Sequence, residues 1–293
     1  MKIIMERGKV WEAAEVSSQT IALDGAIQGP VIDNDRKVYS FDHHANVVRH
    51  VTTATCQQVL DALLLGLDPQ GFDILVNDVD GDTVLSVWLL KQAVAHDSIS
   101  EWVSIGVTEL VEVVSKMDAH GPAYPRGHRQ AVADQFYQGV MLPESSARRN
   151  RTYGDRDLMS LLDECLSNLD SYFGGKIFPV KDMDVPFTVT HTHEDFVIVT
   201  SEGFAFGSAY KAGHQALVAY TQLPDGSYAY TVGKKSEFVA NFNVPAILTA
   251  LNAKEPGWGG SSTIGGAPRN ADGSRSHLQP DEIFAIIKDV VRA

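Results

Sequence analysis

The sequence is poor in cysteine, in long apolar runs and in positive charge, and each scarcity narrows the classes of protein that it can encode. Two cysteines occur among 293 residues. Cys56 and Cys165 lie in helix-like segments without metal-ligand spacing, which predicts reduced structural thiols in a reducing compartment. No run approaches the roughly 18 apolar residues of a membrane span. Residues 1–7 show no signal-peptide pattern, so we expect a soluble, cytoplasmic protein without a membrane partner.

The charge balance is acidic, since 24 lysines and arginines face 37 aspartates and glutamates and give a formal net charge of −13. Such a surface argues against a protein that coats duplex nucleic acid. A small anionic substrate remains compatible with it, because bound divalent cations would invert the local field. The apolar fraction of 44% is ample for a core, and the length predicts two domains.

Two clusters of oxygen and imidazole side chains each follow a predicted strand. Phe41-Asp42-His43-His44 comes after the β-like run 37–40, and Asn77-Asp78-Val79-Asp80-Gly81-Asp82 comes after the apolar run 72–76. The apolar spacing of residues 52–64 predicts an amphipathic crossover helix between them. Because ligands bind at the carboxyl ends of strands in an open parallel sheet, this arrangement predicts a metal site.

Two more acids lie at the ends of predicted elements. Asp24 follows the predicted strand 20–23, and Asp118 lies in the turn after the predicted helix 100–116. Taken singly, each cluster has an ordinary explanation: the acids of residues 78–82 could complement the dipole of the following helix, and adjacent histidines occur by chance. All four groups follow the end of a predicted strand or helix, and this common placement favours one site built from four loops. The mixed nitrogen and oxygen set suits manganese, magnesium, iron or zinc better than calcium.

Other polar segments are given simpler interpretations. His191, His193 and Glu194 could bind a metal, but a solvated strand end is favoured. The basic residues 148–151 are interpreted as a solvated loop, with a phosphate-attracting patch as the alternative. His120, Arg126 and His128 could contact an anion from a Gly/Pro loop. Period-two strands over 187–192, 196–200, 216–221 and 228–232, followed by a glycine-rich segment and a closing helix, predict a second α/β domain.

These motifs resemble those of the DHH phosphoesterase superfamily, whose name motif stands here as Asp42-His43-His44. The stretch Asp78-Val79-Asp80-Gly81-Asp82 resembles the family's first motif. In the family that motif ordinarily precedes the histidine pair, so the catalytic domain looks circularly permuted. The resemblance implies a doubly wound, mainly parallel α/β sheet in residues 1–180 and a smaller α/β domain of the DHHA1 type in residues 187–293.

The second domain carries its part of the resemblance in a glycine-rich loop. Gly259-Gly260-Ser261-Ser262-Thr263-Ile264-Gly265-Gly266 has the spacing of the DHHA1 glycine loop, although Ser261 stands where the family commonly has histidine. The stretch Tyr228 to Lys235 resembles its substrate-facing strand, with lysine in place of arginine. The resemblance therefore implies a set of substrate-binding residues: Lys234, Lys235, Gly259, Gly260, Ser261, Gly265 and Gly266.

The resemblance also implies a mechanism. Two cations, Mn²⁺ first with Mg²⁺ or another divalent ion as alternatives, would be held by six ligands: Asp24, His43, Asp78, Asp80, Asp82 and Asp118. His44 would contact the scissile phosphate or act as general acid, or else orient a carboxylate, and Asp42 would orient its neighbours.

The implied function is hydrolysis of a small phosphorylated substrate, a nucleotide or short oligonucleotide. The alternatives are a pyrophosphatase-like enzyme and a non-catalytic nucleotide- or metal-binding regulator. The oligomeric state is left open and could be a homodimer.

Overall fold

The computed structural model of the protein describes residues 1–125, 127–181 and 184–292. Contacts divide the chain into two units, residues 1–182 and 183–293. Residues 181–186, between the two predicted domains, lie partly outside the described residues, and Arg126 lies wholly outside them. Within the described ranges, no helix combines the length and the apolar character needed to cross a membrane. Both units are mixed α/β structures.

The first unit is built on a five-stranded sheet with strand order β1-β5-β2-β4-β3. Its strands are β1 (Ile3–Met5), β2 (Thr20–Leu23), β3 (Val31–Asp33), β4 (Val38–Phe41) and β5 (Asp73–Val76). All neighbours pair in parallel except β3, which is antiparallel to β4. Leu23 is in register with Phe41, and Ala22 with Leu75. Because β2, β4 and β5 run in parallel, their carboxyl ends lie at the same end of the sheet.

Six α-helices complete this unit in the described residues. They are α1 (Thr55–Leu64), α2 (Gly81–Ala95), α3 (Ile105–His120), α4 (Gln130–Asp134), α5 (Leu142–Arg149) and α6 (Leu158–Phe173). A π-helical segment, Gln135–Val140, joins α4 to α5. Short 3₁₀ segments are Ile99–Glu101, Gly121–Ala123, Gly127–Arg129 and Tyr153–Asp155. Helix α2 is apolar on all sides because it packs among α1, α3 and α6.

The two faces of the first sheet are covered differently. Alternation along the strands turns Ile21 and Ile74 toward the core that contains α1, α2, α3 and α6. On the other face, Ala22 and Leu75 pack with Trp11 from a segment of turns. The described helices of this core therefore share one face of the sheet. That differs from the doubly wound layout implied by the resemblance, because residues 6–19 form turns instead of a covering helix.

The second unit is a six-stranded mixed sheet, order β10-β11-β9-β8-β7-β6, in which only β7 and β8 pair in parallel. Its elements are β6 (Thr188–Thr192), β7 (Val197–Thr200), α7 (Phe206–Lys211), β8 (Ala216–Gln222), β9 (Tyr228–Lys234), α8 (Val244–Asn252), β10 (Gly259–Gly260), β11 (Ile264–Gly266) and α9 (Pro280–Arg292). Ile247 of α8 and Ile283 of α9 are buried against Val218 and Val232 of the sheet.

The glycine-rich segment, expected as a loop, is a hairpin of β10 and β11. Gly260 pairs with Gly265 across it. A Cβ atom on Gly260 would overlap the Ile264 carbonyl oxygen, and one on Gly265 would lie 2.6 Å from a methyl carbon of Leu248. Glycine is therefore required here by close packing of the backbone.

Candidate metal site

Four segments of the first unit bring acids around one buried imidazole. His43 follows β4, Asp24 follows β2, Asp82 lies in the first turn of α2, and Asp118 lies in the last turn of α3. The Nε2 atom of His43 is 2.8 Å from Asp118 Oδ2, 3.3 Å from Asp24 Oδ1 and 3.8 Å from Asp82 Oδ2. Asp118 was expected in a turn after the helix; it is helical because α3 continues to His120. Four of the six predicted ligands thus converge.

The closest contact in this cluster is short but is not a well-formed hydrogen bond. His43 Nε2 and Asp118 Oδ2 are at hydrogen-bond distance, yet both atoms, and His43 Nδ1, are buried without a partner of acceptable hydrogen-bond geometry. Buried polar atoms are normally satisfied. Nitrogen and oxygen atoms that converge without mutual hydrogen bonds are the arrangement expected of ligands for a cation.

Asp82 is oriented by the start of α1. Its two carboxylate oxygens accept the N–H groups of Thr55 and Cys56, each at 2.7 Å. The N-cap residue of α1, Ala54, provides no side-chain cap, so Asp82 satisfies amide groups that would otherwise be unpaired. The Thr55 hydroxyl lies 3.3 Å from Asp24 Oδ1. Thr55 was not predicted as a site residue, although a threonine at the start of a helix after the histidine pair was a visible signal.

Asp80 combines a capping role with membership of the acidic cluster. It is the N-cap of α2 and accepts the Thr83 N–H at 2.8 Å, so the helix-cap interpretation holds for this residue. Burial, together with the charges of Asp24, Asp118 and Asp82, raises the pKa of Asp80 well above its ordinary value. Asp80 is therefore buried among like charges, a setting that favours its protonated form.

Asp82, His43 and Asp24 also have shifted pKa values, each with its own cause. Burial and the charges of Asp24 and Asp118 raise the pKa of Asp82 to about 7. Burial would lower the pKa of His43, but attraction to Asp118 and Asp24 outweighs it and raises the pKa to about 10. Burial would raise the pKa of Asp24, and its contacts with His43 and His44 lower it instead. Divalent cations would relieve this repulsion among carboxylates.

Asp42 orients the histidine loop. It is buried and accepts hydrogen bonds from the N–H groups of Gly29, His44 and Ala45 at 3.1, 2.9 and 3.1 Å. Burial would raise the pKa of Asp42, but the hydrogen bonds from His44 and Ala45 lower it to about 2. His44 Nδ1 lies 3.1 Å from Asp42 Oδ1, and the His44 side chain is 39% exposed. His43 is therefore enclosed, whereas His44 is open to solvent.

Asp78 lies with partners other than the acidic cluster. The Tyr153 hydroxyl donates to its carboxylate, and Arg148 forms an ion pair with it at 3.1 Å. The Val79 N–H lies 2.9 Å from Asp78 Oδ1 and 3.1 Å from the Tyr153 hydroxyl. The structure therefore separates Asp78 from the ligand set predicted for residues 78, 80 and 82. The reason is tertiary, because both partners come from a segment about 70 residues further along the chain. Arg148, expected in a solvated loop, makes this contact.

In the second unit, the glycine hairpin borders a cleft of about 670 Å³. Its lining residues are Phe204, Tyr230, Thr231, Gly257, Gly259, Gly260, Ile264, Gly265, Gly266, Ala267, Pro268, Arg269, Asn270 and Arg275. Four of the predicted substrate-binding glycines are among them. Tyr230 lies in the stretch that resembles a substrate-facing strand, but its side chain is buried. The arginines were not predicted, since nothing in their local sequence marks them.

The remaining predicted substrate-binding residues lie outside this lining. Lys234 is 9% exposed, pairs with Glu237 at 3.3 Å and donates to the Val239 carbonyl. The Ser261 hydroxyl accepts the Ile264 N–H at 3.3 Å and closes the hairpin turn. Lys235 follows β9 and is half-buried. The predicted contacts of these three side chains with a ligand are therefore not supported by the shape of the cleft.

Another group of potential metal ligands, in the second unit, lies in the turn between β6 and β7. His193, Glu194 and Asp195 bring ligand atoms within 4.8 Å of one another. However, His193 Nδ1 accepts the Asp195 N–H at 3.3 Å, and His191 pairs with Asp281 at 2.8 Å. Local turn contacts account for this group, in agreement with the interpretation as a strand end.

Comparison with known proteins does not assign the chain to a family. A scan against models of protein families gives no match, and a search of curated proteins finds no similar sequence. The function is therefore inferred from the site itself. Four carboxylates and an imidazole form a mixed nitrogen and oxygen donor set, which suits manganese, magnesium, iron or zinc.

Proposed function

We propose that this protein is a metal-dependent phosphohydrolase that cleaves a small phosphorylated substrate, a nucleotide or short oligonucleotide, with two divalent cations, Mn²⁺ first. The observation that carries this proposal is the convergence of Asp24, Asp82 and Asp118 on the buried imidazole of His43, where both ring nitrogens and Asp118 Oδ2 lack hydrogen-bond partners. The proposal includes a first domain of the DHH type, with its core helices on one face of the sheet, a second domain of the DHHA1 type, and a cytoplasmic location.

The residues of the cluster divide into holding and reacting groups. Asp24, His43, Asp80, Asp82 and Asp118 would hold the cations, which when bound supply a hydroxide near neutral pH and polarise a phosphoryl oxygen. His44 is the proposed reacting group, because it is open to solvent. Its Nδ1 faces the Asp42 carboxylate, which favours a proton on Nδ1 in the neutral ring and leaves Nε2 for the substrate.

The cleft of the second unit offers groups that suit a nucleotide. The ring of Phe204, which is 55% exposed, can pack against a base, the arginines at positions 269 and 275 can face phosphate, and the glycines allow close approach to the backbone. From the groups of the second unit alone, we propose that this cleft binds a nucleotide.

Two alternatives keep the same metal site. A pyrophosphatase-like enzyme would not require a nucleoside for turnover. A non-catalytic nucleotide- or metal-binding regulator would bind without hydrolysis. The side chains of Lys234 and Ser261 form contacts within their own domain. Two groups expected to hold a reacting phosphate are therefore occupied, and this observation favours the regulator as an alternative to test.

The test compares two neighbouring aspartates. Metal-stripped protein with manganese added back is assayed on an aryl phosphodiester and an aryl phosphomonoester. Asp80→Asn should lower turnover more than about a hundredfold, because substitution of residues that merely orient metal ligands already costs about ten- to hundredfold. Asp78→Asn is the matched control, since Asp78 lies outside the cluster, and should change turnover less than about tenfold.

Each outcome separates the candidates. Manganese-dependent turnover that is lost in Asp80→Asn and retained in Asp78→Asn would support the hydrolase, and the preferred ester would narrow the substrate. Stoichiometric manganese binding without turnover would favour the regulator. Equal activity of Asp80→Asn and the unmodified protein would remove the proposed site.

A further inference from the structure

Arg49 lies at the tip of a turn that follows the histidine pair. The N–H groups of Val51 and Thr52 donate to the Val48 carbonyl oxygen at 3.0 and 3.1 Å, which makes Arg49 and His50 the central residues of the turn. The Thr52 hydroxyl donates to the same oxygen at 3.1 Å. The base of the turn is therefore fixed by three hydrogen bonds to one carbonyl group.

The turn packs on the helix end that supplies a cluster acid. The ring of His50 lies 5.3 Å from the ring of His120, which stacks in turn on Tyr124 at 5.3 Å. His120 is the last residue of α3, and Asp118 lies in the same final turn. This packing places the Arg49 guanidinium 3.8 Å from Asp118 Oδ2.

The exposure of this ion pair leaves room for a ligand. The Arg49 side chain is 48% exposed and that of Asp118 is 25% exposed. In the part of the chain that the structure describes, Arg49 is the one lysine or arginine that forms an ion pair with a carboxylate of the cluster. A guanidinium carries five N–H donors, so contact with a single carboxylate oxygen leaves donors for an anion.

We propose that Arg49 binds the phosphoryl oxygens of the substrate at the metal site. This inference rests on the proposed function and deepens it by adding a cationic ligand for the phosphate from the first unit itself. Bound cations would compete with the guanidinium for Asp118, and Arg49 would then present its planar donor set to a phosphate or phosphodiester.

Binding of inorganic phosphate to manganese-loaded protein, measured by calorimetry, tests the assignment without relying on turnover. Arg49→Gln should weaken phosphate binding about ten- to hundredfold, the effect of losing a charge-assisted hydrogen bond. Arg49→Lys should restore part of the affinity, because it keeps the charge but loses the planar donor set. Manganese affinity should stay within about threefold of the unmodified protein. Arg156→Gln is the matched control, since Arg156 is 37% exposed and pairs with Glu164.

The outcomes distinguish this assignment from the proposed function. Unchanged phosphate affinity in Arg49→Gln, or an equal loss in Arg156→Gln, would overturn the role of Arg49 while manganese-dependent hydrolysis by the unmodified protein still stood. Weaker manganese binding in Arg49→Gln would show that Arg49 supports the ligands instead of the phosphate, and would also overturn it. An unmodified protein that binds no manganese would overturn both.

Discussion

The hairpin β10–β11 provides a sharp test, because two adjacent glycines have opposite surroundings. A Cβ atom on Gly259 would meet nothing within 4 Å, whereas one on Gly260 would overlap the backbone of Ile264 and Gly265. Replacing glycine by alanine in open space stabilises by about 0.4–1 kcal/mol, through the unfolded chain. Overpacking costs about 1–3 kcal/mol, and the upper end applies at Gly260, since backbone atoms cannot rotate away.

We therefore expect Gly260→Ala to lower the free energy of unfolding by about 3 kcal/mol and Gly259→Ala to change it by less than about 1 kcal/mol. Urea denaturation followed by circular dichroism measures both values, and hydrogen exchange assigns the loss to the second unit. If the hairpin instead lifts off locally, Trp258, which is 5% exposed, becomes solvated and its emission shifts to the red. Equal effects of the two substitutions would refute the close-packed hairpin and favour a flexible loop.

Further predictions concern the first unit. Tyr153→Phe removes the hydroxyl that donates to Asp78 and should destabilise the metal-free protein by about 1–3 kcal/mol without creating a cavity; no loss in urea denaturation would contradict the contact. The raised pKa values of Asp82, about 7, and of His43, about 10, mean that the folded protein holds protons that the unfolded chain releases as pH rises. The Tm of the chelator-treated protein should therefore fall from about pH 5 to about pH 9. Manganese should raise the Tm most at the alkaline end, and a Tm that rises with pH in chelator would refute the crowded cluster.

Local patterns were sufficient for most elements. The strand predicted at residues 20–23 has those bounds in the structure, and the helix predicted over 52–64 is observed as Thr55–Leu64. Apolar periodicity is a property of neighbouring residues, so it can be found without tertiary information. The helix predicted over 100–116 instead begins at Ile105 and ends at His120. A separate 3₁₀ turn precedes it, and Ser104 caps its start by accepting the Val107 N–H. Helix α7, six residues long, is too short to show a period.

For the site, the sequence supplied candidates and the tertiary structure selected among them. Asp78 and Asp80 are two residues apart and chemically identical, so no local pattern distinguishes them. Arg148 and Tyr153 hold Asp78 from a distant segment, whereas Asp80 shares its surroundings with Asp24 and Asp118. Lys234 likewise looked available and is buried in an ion pair.

The sequence by itself determined the acidic composition, the sites of most strands and helices, and the residue types available for metal chemistry. Only the tertiary structure decided which acids surround His43, that Asp82 caps α1, and that Arg49 reaches Asp118. The physical reason is the distance along the chain between the residues that interact. Secondary structure follows from side chains a few positions apart, whereas a metal site depends on strand order and on contacts between residues tens of positions apart.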